Sequence, residues 1–233
     1  MAISLSFKAF PVGWGLLARP KIVGTDEQGS AMLPDPWSRN FRGRVMARVE
    51  AIKHEAARLM AERGYAGVSL RQLAEAVGIQ PGSVYAHFTS KEELLQALCC
   101  DFQADLMSAW VRRRRCSDPK RALLAFVAVY VRFHLVRGAE GRVLLLDFRS
   151  LDLQGKQVVG ELRARYEAEL DEILQRGVVC GAFVVGEVVL ARKCILSLLQ
   201  GLCVARDACS VWAVRAVYRD CAEAVLRQVG ACG

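Results

Sequence analysis

The sequence predicts an all-α protein: an N-terminal three-helix domain of helix-turn-helix type, followed by a larger helical domain. Three observations predict it. From Phe41 onward, apolar positions recur at steps of three and four, the period of a helix with one buried face. No alternating apolar–polar run is long enough to build a sheet. VVCGAFVVG is the one β-like stretch, and Gly181 inside it marks a turn between helices. Two short helical segments, one starting after Ser69 and one at Pro81, are separated by a glycine break of helix-turn-helix length.

Residues 1–40 carry Pro11, Pro20, Pro34 and Pro36 with several glycines and no sustained period, and read as a tail without fixed structure. Lys8 and Pro11 interrupt its apolar part, which argues against a signal peptide; Met32 and Met46 are alternative starts. The first helix, from Phe41, aligns Val45, Val49, Ile52, Ala56 and Leu59, and Gly64 suits its left-handed stop. Ser69 caps the second helix with Gln72 at capping-box spacing, and Gly78 breaks it. Pro81 suits the first turn of the third. Ser90 caps a long fourth helix, with Glu92 and Glu93 favouring its dipole and Leu94, Leu98, Phe102, Leu106 and Trp110 forming its stripe. Asp118-Pro119 opens RALLAFVAVYVRFHLVR, apolar on most sides as a central buried helix is, with Gly138 read as its end. EGRVLLLDFRSL and GKQVVGELRARYEAELDEILQRG follow, and 188–205 and 210–229 form the last pair. No internal repeat is present.

The chain has 233 residues, is 53% hydrophobic and carries a formal charge of +8. It can bury a sizeable core, and its excess charge points to an anionic partner. Its three histidines, His54, His87 and His134, stand in no nucleophile elbow or metal signature, and no glycine-rich phosphate loop follows a strand. An enzyme is therefore the weaker reading, and no cofactor or metal site is expected. Nine cysteines without CxxC spacing read as small buried residues of a cytoplasmic protein, with a redox role for Cys99-Cys100 as the alternative. No apolar stretch reaches the roughly 20 residues of a membrane helix.

VSLRQLAEAVGIQPGSVYAHFTSKEELLQAL, within about Arg44 to Leu98, resembles the DNA-binding domain of TetR-family transcriptional regulators. The set Ser69, Leu73, Ala74, Gly78, Gly82, Tyr85, His87-Phe88 and Lys91-Glu92-Glu93-Leu94 carries the likeness. The resemblance implies a homodimeric repressor with a helix-turn-helix domain at 41–91 and an effector-binding and dimerisation domain at 92–233. Its last two helices would form a four-helix bundle with a second copy, and Val211, Val214, Tyr218, Cys221 and Val225 make a stripe fit for that packing. Gln80 departs from the Ser or Thr that many members place at the third helix's cap.

The partner expected of such a domain is double-stranded operator DNA. Phosphates set affinity and base edges set preference. Ser69 caps a helix N-terminus able to meet a phosphate. Tyr85, His87 and Lys91 match family positions for phosphate contacts, with Phe88 packed inward; the plainer readings are a core histidine and a solvated lysine. Base reading falls to Gln80, Pro81, Gly82 and Ser83 at the start of the recognition helix, and to Arg71. Arg39, Arg42 and Arg44 suit an arm into the minor groove. The run Arg112–Arg115 reads as a solvated helix end, with a ligand's phosphates as its alternative partner.

VLLLDFRSLDLQGKQVVGELRARYEAELDEIL is similar to a subset of TetR regulators responding to acyl-CoA thioesters, which implies effector roles for Arg149, Arg165 and Tyr166. The side chains suit this: Phe102, Phe126, Tyr130, Leu145 and Phe148 offer an apolar tunnel, and arginines pair with phosphates. The alternative is a plain leucine core with Arg149 paired to Asp152.

Overall fold

The computed structural model describes residues 36–113, 116–204 and 211–231, with side chains from Val45 to Gly201 and from Val214 onward. Every described element is helical: α1 (Pro36–Arg63), α2 (Leu70–Val77), α3 (Pro81–Tyr85), α4 (Lys91–Val111), α5 (Pro119–Val136), α6 (Gly138–Asp147), α7 (Leu153–Val179), α8 (Val188–Val204) and α9 (Val211–Gln228), with one 3-10 turn, Phe148–Ser150, between α6 and α7. Residues 1–43 separate as a unit of their own from residues 44–233. Most of the expected tail lies outside the described residues, but α1 already begins at Pro36, ahead of Phe41.

Local chemistry sets most helix ends. Ser69 adopts extended backbone and accepts from the Gln72 N–H, while the Gln72 side chain accepts from the Ser69 N–H at 2.9 Å. Ser90, Asp118 and Asp152 cap α4, α5 and α7 by accepting from the N–H groups of Glu93, Arg121 and Gly155 at 3.0, 2.7 and 2.6 Å. Each such cap is worth about 1 kcal/mol. Gly78 ends α2 at φ 72°, ψ 34°, a left-handed conformation that costs a residue with a Cβ about 1–2 kcal/mol.

Gly138 does not end α5 as expected: it opens α6. The break falls one residue earlier, at Arg137 (φ −109°, ψ 49°). A long-range anchor fixes that residue. Its guanidinium donates to Asp105 Oδ2 at 2.6 Å and Glu140 Oε1 at 3.2 Å, and lies over the rings of Phe102 and Phe133. The chain bends by 94° there.

α4 packs against α5, α6 and α7. It is buried on more than the expected stripe, since Leu95 and Cys99 join Leu94, Leu98, Phe102, Leu106 and Trp110 in the core. Each fully buried large apolar side chain contributes about 1.5–3 kcal/mol, so α4 is the main brace of the molecule. α5 packs on α7, α8 and α9. α7 is tied to α8 by Arg192, which donates to Glu167 at 3.0 Å and faces Asp171 at 3.4 Å. Gly177 of α7 sits under the buried Phe183 ring: a Cβ there would stand 1.9 Å from Phe183 Cδ2, so only glycine fits.

The stripe assigned to a second copy is largely used within the chain. Cys221 and Val225 are 0% and 1% exposed, and α9 packs on α5. Val214 is half-buried, and the Val211 side chain lies outside the described residues. Among the described residues no single helix is long and apolar enough to cross a membrane.

Candidate nucleic-acid interface and effector region

α2 and α3 pack on each other through Leu70, Leu73, Ala74 and Val84, and Phe88 closes the unit from below, packed inward as expected. What they leave outside is the expected reading surface. Gln80, Pro81, Gly82, Arg71 and Tyr85 are exposed, and Ser83 and His87 are half-buried. Gln80 makes no capping bond with its side chain, the outcome of placing Gln where a Ser would cap. A Cβ on Gly82 would meet nothing within 4 Å among the described residues, so no packing inside the chain requires glycine there. The side chains of Arg39, Arg42 and Arg44 lie outside the described residues.

Three of the expected phosphate contacts share one groove of about 430 Å3, lined by Ser69, Tyr85 and Lys91 together with Gln72, Thr89 and Ser90. The N-cap residues of two helices, Ser69 of α2 and Ser90 of α4, therefore line the same concavity. Helix N-termini carry partial positive charge, and Lys91 adds a full one, so the groove suits an anion. Lys91 is not a free surface lysine. Its ammonium donates to the Tyr65 carbonyl at 2.9 Å and lies 4.2 Å from the Tyr65 ring centre, which leaves two of its three N–H donors for the groove. His87 lies apart from the groove's lining.

Tyr65 joins this surface to the helical region. Its N–H donates to Asp147 Oδ1, at the end of α6, at 3.2 Å. Burial pushes the Asp147 carboxyl up, partly offset by the Tyr65 N–H and the Lys91 charge. The Asp152 N–H, at the start of α7, donates to Glu92 of α4 at 2.6 Å. Lys53 of α1 pairs with Asp101 of α4 at 2.5 Å. Tyr65 and Asp147 escaped sequence reasoning, and Glu92 was read only as part of the α4 start, not as the partner of Asp152; Asp147 is 82 residues from its partner.

Of the residues expected to hold an effector, four are buried in one aromatic cluster. Phe126 stacks on Tyr166 at 4.8 Å, Tyr130 lies 6.5 Å from Tyr166, and Tyr130 stacks on His134, which meets the edge of Phe102. His134 donates from Nδ1 to the Tyr130 carbonyl at 3.0 Å, and burial pushes its pKa down to about 4, so it is neutral. Among the described residues the buried Tyr166 hydroxyl has no hydrogen-bond partner, a cost of about 1–3 kcal/mol. Leu145 and Phe148 are half-buried, and Arg149 and Arg165 are exposed. The arginine over the Phe148 ring is Arg163, which the sequence did not single out. Asp152 serves as the α7 cap rather than as the partner of Arg149. Burial pushes the Cys99 thiol up to about 12 and raises Cys100 as well, opposite to the shift a reactive thiol needs. Among the described residues no group of His, Cys, Asp and Glu is placed to hold a metal ion.

A short exposed helix beside a groove lined by two helix N-caps and Lys91, set on a helical bundle, is the arrangement of a helix-turn-helix DNA-binding regulator. Comparison with known proteins makes this particular. The model for bacterial regulatory proteins of the tetR family matches residues 52–98, and a tetracyclin repressor-like C-terminal domain matches residues 116–204. The structure of a TetR family transcriptional regulator, PfmR, from Thermus thermophilus is 31% identical, covering 76% of this chain and 97% of that one, with a TM-score of 0.70. The chain belongs to the TetR family of transcriptional regulators and is not an enzyme. The fatty acid metabolism regulator protein of Bacillus subtilis is 26% identical over 151 residues, 62% of this chain and 76% of the relative. A FadR regulator from Bacillus subtilis, solved in complex with stearoyl-CoA, shares the fold at 21% identity, covering 79% of this chain and 99% of that one, with a TM-score of 0.64.

Proposed function

We propose that this chain is a repressor that binds operator DNA as a homodimer and is released by an acyl-CoA-type effector. The observation that carries it is the groove where Ser69, Ser90, Tyr85 and Lys91 converge beside the exposed Gln80–Ser83 segment. Phosphates on Ser69, Tyr85 and Lys91 set the register, and Gln80 and Arg71 read base edges in the major groove. His87 contributes at the margin; Arg39, Arg42 and Arg44 fall within α1 rather than on a separate arm. Residues 41–91 act as the reading domain and 92–233 as the sensing domain.

The effector reading rests on the aromatic interior around Phe126, Tyr130 and Tyr166, on Phe102, Leu145 and Phe148 at its flanks, and on the relative named for fatty acid metabolism. Arg149, in the turn before α7, and Arg165, midway along α7, are exposed and suit the phosphates of a coenzyme A head group. Dimerisation falls to the outward face of α8, where Leu190 and Cys194 are exposed beside the small residues Ser197 and Gly201. Leu190→Asp tests that face without opening the core, which Val225→Asp would do.

A gel shift with DNA from upstream of the chain's own coding sequence tests the whole reading. The protein should bind it over competitor DNA, octanoyl-CoA should release it, and coenzyme A alone should not. No specific shift, or equal release by coenzyme A alone, overturns the proposal.

A further inference from the structure

Two features of the helical region take no part in the DNA-binding surface. The first is a cavity of about 370 Å3 between the C-terminal ends of α4 and α7 and the start of α5, within the roughly 300–1,000 Å3 range of small-molecule pockets. Trp110, Ala122 and Ile173 are its buried apolar lining, and the exposed Arg113, Glu172 and Arg176 stand at its rim. The rim carries both signs, two arginines and one glutamate. The second is the Tyr166 hydroxyl, 3% exposed as a residue and without a partner.

One aromatic layer links the two. Trp110 lines the cavity and meets Phe126 edge-on at 5.3 Å, and Phe126 stacks on Tyr166. The Trp110 indole N–H is held by Glu169 Oε2 at 2.8 Å, and Glu169 both lines the cavity and stands one turn beyond Tyr166 on α7. We propose that this cavity is the mouth of the effector site, that Trp110 is its gate, and that the effector is a largely apolar molecule whose neutral carbonyl accepts from the Tyr166 hydroxyl. The proposal rests on the reading that the helical region holds an effector, and it adds the point of entry and the functional group recognised.

The chemistry selects a neutral acceptor. Burial raises the Tyr166 pKa, so the hydroxyl stays protonated and donates. The Glu169 carboxylate acts on the same hydroxyl, and it would repel a carboxylate ligand while leaving a ketone, ester or thioester untouched. Opening the gate breaks the Trp110–Glu169 hydrogen bond and lifts the indole from its packing on Phe126, and the ligand then satisfies a buried donor that lacks a partner among the described residues.

Calorimetric titration of the full chain with 2-octanone and with 1-chlorooctane, on wild type and Tyr166→Phe, tests this. The ketone should bind wild type and bind Tyr166→Phe about tenfold more weakly, the chloride should bind both alike, and unliganded Tyr166→Phe should melt at or above wild type. Equal ketone affinity in the two proteins, no ketone binding, or a lower melting temperature for the variant overturns the proposal. Octanoyl-CoA in the gel shift separates the two readings. Release of DNA equally from wild type and Tyr166→Phe keeps the effector reading and removes the Tyr166 contact. Ketone discrimination with no release by either compound keeps the site and removes the effector reading.

Discussion

Lys91 serves two surfaces with one ammonium: it holds the Tyr65 carbonyl and ring, and it lines the groove. Lys91→Ala should therefore weaken binding to all DNA sequences alike and lower the salt slope by about one unit, because phosphate contacts carry no base information. Arg71→Ala or Gln80→Ala should instead change the preferred site, at about 1–3 kcal/mol for a lost base contact. Salt titrations and binding-site selection distinguish these outcomes; an unchanged salt slope removes Lys91 from the contacts. His134 makes a prediction of the opposite kind, about stability. Burial holds its pKa near 4, below the ordinary value of 6.5, so the folded state resists protonation. Its contribution is intact above pH 6.5 and is lost as pH falls from there towards 4, at no more than about 1.4 kcal/mol per unit. Urea denaturation at several pH values should show His134→Gln with a shallower acid loss than wild type; parallel curves would contradict it.

The helices divide into those whose limits were legible and those whose neighbours were not. Ser69, Ser90, Asp118 and Gly78 mark their ends because a cap is a bond between residues two to four apart. The α5–α6 break was misplaced because Arg137, not Gly138, makes it, through partners 32 residues away and in the next helix. The α9 stripe was correctly apolar, but Cys221 and Val225 in it are covered by their own chain: a period of three and four tells that a face is buried, not what covers it. Two glycines give a matched test at this scale. Gly177→Ala should cost about 1–3 kcal/mol, since the Phe183 ring has no room to give. Gly82→Ala should leave stability unchanged or higher, because nothing in the chain lies near, yet weaken DNA binding. Thermal melts and gel shifts on both variants check the pair; a stable Gly177→Ala would refute the packing argument.

Across the whole molecule, the helix-turn-helix region meets the larger helical region where α6 ends and α7 begins. Asp147 holds Tyr65, Tyr65 holds Lys91, and Asp152 holds Glu92. An effector alters DNA affinity only if it prefers one arrangement of these parts. Asp147→Ala should leave operator binding nearly unchanged without effector and reduce the ratio of Kd values measured with and without octanoyl-CoA, a ratio that corresponds to about 1–3 kcal/mol in typical coupled systems. An unaltered ratio would take Asp147 out of the coupling. No pattern in the sequence announces this junction, because its members are brought together by the fold alone. α4 sets the scale of the motion required. Its 21 residues make a rod about 30 Å long, with the groove at one end and Trp110 at the other. Pivoted near Trp110, such a rod needs to swing only about 5° to carry Lys91 sideways by about 2.6 Å, most of the length of a hydrogen bond. If Trp110 gates the site as proposed, switching would ask only for a change of angle, one small enough to be set by whether one indole ring is in or out.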